Sequence, residues 1–515
     1  MNLNSAVSSS LKCINIIALL GGASVSCAQP NTQSSVEQPK NVLLILVDDL
    51  KPTLGCYGDP IAVSPNIDRL AGLGIRFNNA YCNQAVCMAS RYNLLTGARS
   101  TSTGLYNFGS EFRDIYPDAI TLPQYFMNAG YHTEAIGKVF HVGHGNTDDK
   151  VSWSIPLHHE KMIEYILPES TNRQLTREEV FFENTRLYFD DVPPMRELPR
   201  GAAWEIADVL DEAYADGRIA RRAIDRLRVH NANPEQPFFM AVGFMRPHLP
   251  FVPPKKYWDM YDPEKLPMPE FEQDPENAPP MAIKRGGEIE QFDKIPIGQH
   301  IFPDSIKRKL IHGYYASVSY VDAQVGRVVN ELERLGMLDN TIVILWSDHG
   351  WHLGDHGYWT KHTLYEQANV IPLIMVVSGV TTPGTATDQI IETVDIYPTL
   401  TNLAGLGFPE APQPIDGLSM VPVLKNPSLE IRDHAYHSFT RGGYIGRAIR
   451  TDRYRLVEWV RINNQDEERF YELYDYLTDP LETRNVYDEH PEVVASLMSI
   501  LARHPQAENP APRSR

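Results

Sequence analysis

Two pairs of potential metal ligands stand directly after strongly apolar segments of the chain. Asp48-Asp49 follows NVLLILV at 41–47, and Asp348-His349 comes just after TIVILW at 341–346. Three carboxylates brought close together would repel one another unless a cation lay between them. Oxygen ligands suit calcium or magnesium, whereas the single imidazole leaves other divalent metals open. The alternative is that the aspartates only cap the turns that follow the apolar segments.

A second group of reactive residues is the string Cys87-Met88-Ala89-Ser90-Arg91, which continues to Leu95-Thr96-Gly97. If a helix begins here, Arg91 lies one turn from Cys87 and faces the same anion, and the helix N-terminus also favours negative charge. From chemistry alone, Cys87 could be a nucleophilic thiol of lowered pKa. The alternative is a small buried apolar residue, which cysteine often is.

The cysteines give a further indication, since they stand at positions 13, 27, 56, 82 and 87. The first two lie in or at the edge of an N-terminal apolar segment. Three remain, and an unpaired thiol in an exported chain needs a reason. A Cys56–Cys82 disulfide bond would leave Cys87 as the odd one.

Residues 1–27 have the pattern of an export signal. Lys12 supplies a positive charge, and the apolar stretch 13–23 is too short to span a bilayer. Two forms of processing fit this pattern: ordinary signal-peptide cleavage, or lipidation of Cys27 after an imperfect lipoprotein motif that begins at Ser24. The expected location is the periplasm, or the outer surface as a lipoprotein, of a bacterium. Residues 28–39 are polar and contain prolines, as in a linker.

Composition and charge limit the classes of partner. The 515 residues are 43% hydrophobic and 22% charged, as in an ordinary globular protein, and the net charge is −18. Nucleic acid is excluded as a partner because phosphate backbones need a basic surface. A small anionic substrate is not excluded, since local cations outweigh distant charges beyond a screening length of ~10 Å.

Apolar runs and helical periodicity alternate along most of the chain and predict an α/β fold, a large sheet between helices. A helix should open at Ser64-Pro65 and run toward Gly72 or Gly74. A long amphipathic helix should span 314–335. The predicted strands are 41–47, 237–243, 341–346 and 371–377. Ligands of such sheets bind at the carboxyl ends of the strands, where both acidic pairs stand.

The other segments complete the predicted domain organisation. Residues 253–304 lack periodicity and are interpreted as a surface excursion that could face the substrate. From about residue 430, short alternating strands and a helix near 491–503 predict a smaller antiparallel α+β subdomain. The predicted boundaries are 40–428 for the larger domain, 429–505 for the subdomain and 506–515 for a disordered tail.

The string at Cys87 resembles the signature of type I sulfatases, Cys-x-(Pro or Ala)-Ser-Arg followed by Thr-Gly, whose cysteine is oxidised to formylglycine (3-oxoalanine). The order of the similar segments matches that family from about residue 40 to 375, and its iduronate-2-sulfatase branch in particular. RAIRTDRYRLVEW at 447–459 is similar too. The resemblance implies an alkaline-phosphatase-like fold and a sulfuric ester hydrolase. The similar segments are NAYCNQAVCMASRYNLLTGARSTSTGLY at 79–106, GKVFH at 137–141, AVGFMRPHLPF at 241–251 and SDHGWHLGDHGYWTKH at 347–362.

The resemblance also implies the components of a metal centre. Arg91 would hold the modified residue 87 and offset its charge. One sequence departure concerns maturation: Ala89 stands where many relatives have proline, which favours an oxygen-independent bacterial formylglycine-generating enzyme. Calcium would be bound by Asp48, Asp49, Asp348, His349 and an oxygen of the modified Cys87.

The resemblance assigns the remaining steps to two lysines and two histidines. Lys138 and Lys361 would bind the sulfate oxygens. One hydroxyl of the formylglycine hydrate would attack the sulfur, and His141 would then take the proton of the second hydroxyl. His248 would be the general acid for the leaving alcohol, with Lys361 as the alternative. From sequence alone the lysines could be surface residues and the histidines core residues. Four residues of the same segment are expected either to support the site residues or to have a purely structural role: His352, His356, Trp359 and His362.

The resemblance points to a 2-O-sulfated uronic acid of a glycosaminoglycan as the substrate. An export signal also suits oligosaccharides of algal polysaccharides such as ulvan or carrageenan. Two alternatives stay open at this point. One is a phosphate or phosphonate monoester hydrolase of the same superfamily, and the other is a non-catalytic polysaccharide-binding relative.

Overall fold

Strand β1 (Asn41–Val47) lies inside an eight-stranded sheet and is covered on both faces. Its alternate residues point to opposite sides of the sheet, so Leu43 and Ile45 belong to one buried apolar cluster and Val42 and Leu44 to another. This explains why the strand is apolar without interruption. The structure is a computed structural model that describes residues 40–514 except 465–466. The predicted export signal, the linker and Cys27 lie outside the described residues.

The strands of the described residues form two sheets. The large sheet has the order β3-β4-β1-β5-β6-β2-β7, with β8 beside β2, and it is mixed because β6 runs antiparallel to β5 and β2. The small sheet has the antiparallel order β12-β11-β10-β9. The further strands are β2 Ile75–Tyr81, β3 His132–Gly137, β4 Phe238–Phe244, β5 Thr341–Ser347, β6 Val370–Val376, β7 Thr385–Thr387, β8 Ile391–Glu392, β9 Ala435–Arg441, β10 Tyr444–Arg450, β11 Tyr454–Arg461 and β12 Phe470–Asp475.

Helices cover both faces of the large sheet. Residues of α8 and α10 belong to one of the two apolar clusters, and residues of α2, α5 and α12 belong to the other. The helices are α1 Pro65–Leu73, α2 Cys87–Thr96, α3 Ser100–Thr103, α4 Phe112–Ile115, α5 Leu122–Asn128, α6 Arg177–Phe182, α7 Thr185–Tyr188, α8 Ala215–Asn231, α9 Lys255–Trp258, α10 Asp304–Arg334, α11 Glu366–Asn369, α12 Ile396–Leu403, α13 Val421–Lys425 and α14 Pro491–Leu501.

The predicted fold class is confirmed: a mixed sheet between helices is followed by a small antiparallel sheet carrying α14. The predicted strands match β1, β4, β5 and β6 to within a residue at each end. The long helix differs, since α10 begins at Asp304 and not at 314. Pro303 directly precedes it, Asp304 and Ser305 are exposed, and the early buried positions include the polar Lys307 and His312, which weakens the apolar periodicity there.

The structure differs from one prediction, the disordered tail, and answers a question that the sequence left open, the pairing of Cys56 with Cys82. Residues 506–514 are not free of the fold, because Glu508 and Ala511 donate backbone hydrogen bonds to Thr101 and Gly104, and Ala507 is buried. Cys56 and Cys82 are free thiols and form no disulfide bond. Cys82 is directed at the carbonyl of Ala368, 3.7 Å away, so its Sγ has a partner within the large-sheet region.

The segment 253–304 is only partly a surface excursion. Short helical turns interrupt it at α9 and at residues 288–291, and the side chains of Ile289, Phe292 and Ile295 are buried in the apolar cluster on one face of the sheet. These anchors hold the segment against the carboxyl ends of the strands. Among the described residues, no helix has both the length and the apolar character needed to cross a membrane.

Candidate functional site

The two acidic pairs meet because β1 and β5 are parallel neighbours. Val47 pairs with Ser347, so Asp48 and Asp348 emerge side by side at the carboxyl edge. Asp49 adopts a left-handed backbone conformation, with a φ of 61°, and its N–H donates to Asp348 Oδ1 at 3.1 Å. All three aspartates are at most 1% exposed. The predicted convergence of these strand ends is present in the structure.

Helix α2 brings Cys87 and Arg91 to the same place. Cys87 is its first residue, and Ser90 Oγ donates to the carbonyl oxygen of Asp348 at 2.5 Å. The Arg91 guanidinium lies between two aspartates, with Nη2 3.0 Å from Asp48 Oδ1 and Nε 3.1 Å from Asp348 Oδ2. Because none of these three side chains is exposed, Arg91 compensates part of a buried negative charge.

The donor atoms at this edge fit a divalent cation. Asp49 Oδ1 is buried and accepts no hydrogen bond from the described residues. His349 Nδ1 lies 3.5 Å from that oxygen, and His349 Nε2 lies 3.3 Å from Cys87 Sγ. The ligand atoms approach within 4.8 Å of one another in two groups that share Cys87: Asp48, Asp49, Cys87 and His248 in one, and Cys87, Asp348 and His349 in the other. An orphaned carboxylate oxygen among such donors is what a bound cation would satisfy.

The pKa shifts of the three aspartates also bear on a bound cation. Burial raises the pKa of Asp49 well above its ordinary value, although Lys361 and His349 oppose this. Burial also raises the pKa of Asp348, and the neighbouring Asp48 adds to the effect. Burial acts in the same direction on Asp48, but Lys138, His248 and Arg91 overcome it and hold that pKa well below its usual range. Burial therefore disfavours the charged forms of Asp49 and Asp348, and a bound cation would favour them.

Cys87 is not an activated thiol in this setting. Burial raises the pKa of its thiol to about 12, although Lys138 and Lys361 act to lower it. The hypothesis of a nucleophile with a lowered pKa is therefore wrong for the unmodified cysteine. A thiol of this pKa stays protonated near neutral pH and is a weak nucleophile.

Lys138 and Lys361 are interior residues, so the surface-lysine alternative is excluded. They are 4% and 1% exposed. Lys138, which follows β3, donates to Asp48 Oδ2, and Lys361 Nζ donates to Asp49 Oδ2 at 3.1 Å. Burial acts to lower the pKa of Lys361, but Asp49, Cys87 and Glu288 raise it well above its ordinary value. Both lysines are therefore placed to hold an anion beside Cys87.

His141 and His248 are fully buried. His141 Nε2 lies 2.8 Å from His144 Nδ1. Burial lowers the pKa of His141 well below its usual range, with Lys138 adding to the effect, and burial and Lys361 do the same for His248. The Nδ1–H of His248 donates to the carbonyl of Leu249 at 2.6 Å, which leaves Nε2 facing the site.

The sequence prediction missed Glu288. Its Oε2 accepts from Lys361 Nζ at 2.7 Å, and its Oε1 lies 3.1 Å from His248 Nε2. Glu288 comes from the aperiodic segment 253–304, where the adjacent glycines Gly286 and Gly287 are the one local signal of a sharp turn. The Glu288 carboxylate therefore contacts Lys361 and His248, which the family resemblance assigns to the sulfate and to the leaving alcohol.

A cavity of about 380 Å³ opens above Cys87. Its walls combine aromatic side chains with a few charged ones. The cavity is lined by Cys87, Phe108, His144, Arg177, Glu178, Phe181, Phe182, Met195, His248, Gly287, Glu288, Gln291, Lys361 and His362. The volume suits a ligand of the size of one or two sugar residues.

The remaining sequence candidates are divided between the cavity and the interior. His362 lines the cavity. His352 binds Asp355 and lies 2.7 Å from Thr363 Oγ1, and His356 Nε2 lies 3.2 Å from the carbonyl of Glu482, so both belong to an internal network. Trp359 stacks on Phe302 and is a core residue.

Comparison with known proteins places the chain in one family. The family model described as Sulfatase matches residues 40–406, and one described as N-sulphoglucosamine sulphohydrolase, C-terminal, matches residues 354–506. The chain is 32% identical to the iduronate 2-sulfatase of Mus musculus, over 92% of this chain and 95% of that protein. Both segments of the chain therefore match sulfatase proteins.

Solved structures share the fold. A protein in complex with its substrate D-glucosamine-2-N,6-O-disulfate superposes with a TM-score of 0.69 at 23% identity, covering 90% of this chain and 97% of that one. The phosphonate monoester hydrolase of Agrobacterium radiobacter superposes with a TM-score of 0.68 at 21% identity, covering 90% and 96%. With matches to the sulfatase model over most of its length and to a sulfatase relative over nearly all of it, the chain belongs to the sulfatase family and is a sulfuric ester hydrolase.

Proposed function

We propose that the chain hydrolyses the sulfate ester of a 2-O-sulfated uronic acid in short glycosaminoglycan or algal oligosaccharides. The observation that carries this proposal is the convergence of Cys87, two buried lysines and a set of carboxylates that could bind a cation, with Cys87 and Lys361 lining one sugar-sized cavity. The choice of sugar rests on the similarity to iduronate 2-sulfatase. Oligosaccharides of ulvan or carrageenan are the other substrates that an exported enzyme of this kind would meet.

We propose that Cys87 acts after oxidation to formylglycine. The buried thiol, with its raised pKa, is a poor nucleophile, whereas an aldehyde hydrate offers one hydroxyl to attack sulfur and a second to expel sulfate. In the first step an O–S bond forms and the bond from sulfur to the sugar oxygen breaks. In the second, the other hydroxyl loses its proton, the bond from carbon to the sulfated oxygen breaks, and the aldehyde re-forms as sulfate leaves; a water molecule then hydrates the aldehyde again.

The remaining side chains support these steps. Lys138 and Lys361 would hold the sulfate oxygens and balance the charge that develops on them. His248 would deliver a proton to the leaving alcohol from Nε2, which faces the site and must first carry that proton because Nδ1–H is donated to Leu249, and His141 would remove the proton of the second hydroxyl. Arg91 would fix residue 87 and the two aspartates that flank it.

The proposed metal is calcium. Asp48, Asp49, Asp348 and His349 would hold it, because they bring three carboxylates and one imidazole to a buried edge with an unsatisfied oxygen. When bound, the cation would compensate the carboxylates and increase the acidity of a hydroxyl at position 87.

A phosphonate or phosphate monoester hydrolase is the second candidate, because the phosphonate monoester hydrolase superposes almost as well as the sugar sulfatase. Parallel assays with aryl sulfate and aryl phosphate separate the two. A non-catalytic polysaccharide-binding relative is disfavoured, because such a protein would not need Cys87 beside a buried cation-binding set.

The experiment that tests the proposal is mass spectrometry of the peptide containing residue 87, combined with turnover of a 2-O-sulfated uronic acid. We expect a mass about 18 Da below that of the cysteine peptide, as for a thiol converted to an aldehyde. Protein from its native host that holds only the unmodified thiol, or that hydrolyses aryl phosphate far faster than sulfate esters, would overturn the proposal.

Two proposed partners concern maturation and location. A formylglycine-generating enzyme would have to act on the segment around Cys87 before α2 becomes buried. The pattern of residues 1–27 supports export to the periplasm or, through lipidation of Cys27, to the outer surface. Radiolabelled fatty acid in the wild-type protein but not in Cys27→Ser would establish the lipid anchor.

A further inference from the structure

Arg177 presents to the cavity that contains Cys87 a positive charge that forms no ion pair with a described residue. It is the first residue of α6 and lines the cavity wall. Its Nε donates to the carbonyl of Leu198 at 2.7 Å and its Nη2 to that of Arg196 at 3.3 Å, so the guanidinium is held in a fixed orientation. No carboxylate oxygen of the described residues lies within 4.0 Å of its nitrogens.

Lys361, the other lysine or arginine that lines the cavity, already pairs with two carboxylates. Lys361 Nζ lies 3.1 Å from Asp49 Oδ2 and 2.7 Å from Glu288 Oε2. Arg177 is thus a cavity cation that two neutral carbonyl groups orient and that forms no ion pair with a described residue, although the neighbouring Glu178, whose pKa burial raises to about 7, also lines the cavity. A guanidinium that is held in a fixed orientation can bind a carboxylate through two parallel hydrogen bonds.

Helix α6 sets the distance between Arg177 and the reacting end of the cavity. Phe182, at the end of the helix, packs edge-on against His248 with 5.4 Å between ring centroids. Phe181 is 46% exposed and also lines the cavity. Phe182 is five residues after Arg177, about 7.5 Å along the helix axis. Because Arg177 and Lys361 line the same cavity, a sugar ring along this wall could place its sulfate near Lys361 and a second substituent near Arg177.

We propose that Arg177 is a carboxylate-binding subsite that selects sulfated sugars carrying a second anionic group over neutral ones. The inference rests on the proposed sulfatase activity and adds the residue that distinguishes a uronic acid from a neutral hexose. It requires a substrate whose carboxylate and sulfate are on the same sugar ring.

The test compares two esters: a 2-O-sulfated uronic acid, and the same sugar with its carboxylate reduced to an alcohol. For Arg177→Gln we expect kcat/KM on the uronate to fall about 10- to 100-fold, as for loss of a charge-assisted hydrogen bond, mostly through KM. On the reduced sugar we expect a change of no more than about twofold. Arg177→Lys should recover only part of the loss, because it keeps the charge without the planar fork.

Arg196→Gln is the matched control. The side chain of Arg196 is 86% exposed in the same region and does not line the cavity, so this variant should behave as wild type on both esters. An equal loss on both esters in Arg177→Gln, with an unchanged melting temperature, would assign Arg177 to catalysis and overturn the subsite. An unchanged preference for the uronate would overturn it too. Wild-type protein that hydrolyses neither sugar ester nor aryl sulfate would instead overturn the proposed function and the subsite with it.

Discussion

Glu288 and Lys361 form an ion pair at the place where a sulfate group would have to bind. Lys361 Nζ donates to Glu288 Oε2 at 2.7 Å, and the other carboxylate oxygen lies 3.1 Å from His248 Nε2. Gly286 and Gly287, which precede Glu288, have φ values of 58° and 144°, conformations that glycine adopts readily. Under the proposed function, a substrate sulfate and the Glu288 carboxylate would therefore compete for the same lysine.

Glu288→Gln should strengthen the binding of anions. The amide keeps the size of the side chain but removes a negative charge next to Lys361, so repulsion of the incoming sulfate decreases. We expect inorganic sulfate to inhibit turnover about 5- to 10-fold more strongly, equivalent to about 1 kcal/mol of interaction free energy. The measurement is the inhibition constant of sulfate against an aryl sulfate substrate.

Glu290→Gln is the control for this variant. Glu290 lies two residues further along, and its Oε1 accepts from the backbone N–H of Gly298, which an amide oxygen can also do. Sulfate inhibition should match that of wild type. If Glu288→Gln left the inhibition constant unchanged or weakened sulfate binding, the competition between Glu288 and sulfate would be disproved.

Lys138→Ala should reduce sulfate-ester turnover severely. Lys138 is 4% exposed and donates to Asp48, so it brings a buried positive charge to the site. Removal of one preorganised donor of this kind typically costs about 10²- to 10³-fold in kcat. The measurement is kcat with an aryl sulfate, with Lys150→Ala as the control because Lys150 is exposed. Near-normal turnover in Lys138→Ala would remove this lysine from the reaction.

The parts of the site that the sequence predicts are those fixed by regular strands. An uninterrupted apolar run identifies β1 and β5 as strands buried on both faces, and parallel neighbours end at the same edge of a sheet. Convergence of Asp48 and Asp348 follows directly. The burial of Lys138 and Lys361 does not follow from any periodicity, and only the family resemblance indicated it.

The parts that the sequence did not predict depend on irregular backbone. Glu288 reaches the site because Ile289 and Phe292 are anchored in the core and two glycines turn the chain before it. No local pattern in 253–304 specifies that arrangement. Likewise, the polar composition of 506–514 indicates disorder, but backbone hydrogen bonds to Thr101 and Gly104 hold it against the fold. Such docking depends on a surface formed by distant residues.

Removal of divalent cations should destabilise the protein as well as inactivate it. Without a cation, Asp49 Oδ1 is buried without a hydrogen-bond partner, so a ligand that binds only the folded state should stabilise it. With calcium at about 100 times its Kd, the gain is about 2.7 kcal/mol. We expect the melting temperature to fall in chelator and to recover when calcium is added back.

Asp49→Asn is the matched variant for the cation prediction. It keeps the shape of the side chain and removes one ligand charge, so its melting temperature should respond to calcium less than that of wild type. An equal response in the two proteins would place the bound cation elsewhere. Recovery with magnesium as large as that with calcium would contradict the choice of calcium, since magnesium demands stricter octahedral geometry.

Arg455→Ala should destabilise the chain far more than Arg453→Ala, although the two arginines are near neighbours in and beside β11. Arg455 is fully buried and donates to Glu482, whose other oxygen accepts the backbone N–H of Glu366 at 2.9 Å. Loss of the arginine leaves that carboxylate buried with less compensation, which typically costs about 3–5 kcal/mol. Arg453 pairs with Asp475 and is 44% exposed, so solvent screens the pair and its loss should cost far less than that of Arg455. Urea unfolding measures both costs, and similar midpoints would mean that Glu482 takes up a proton when Arg455 is removed.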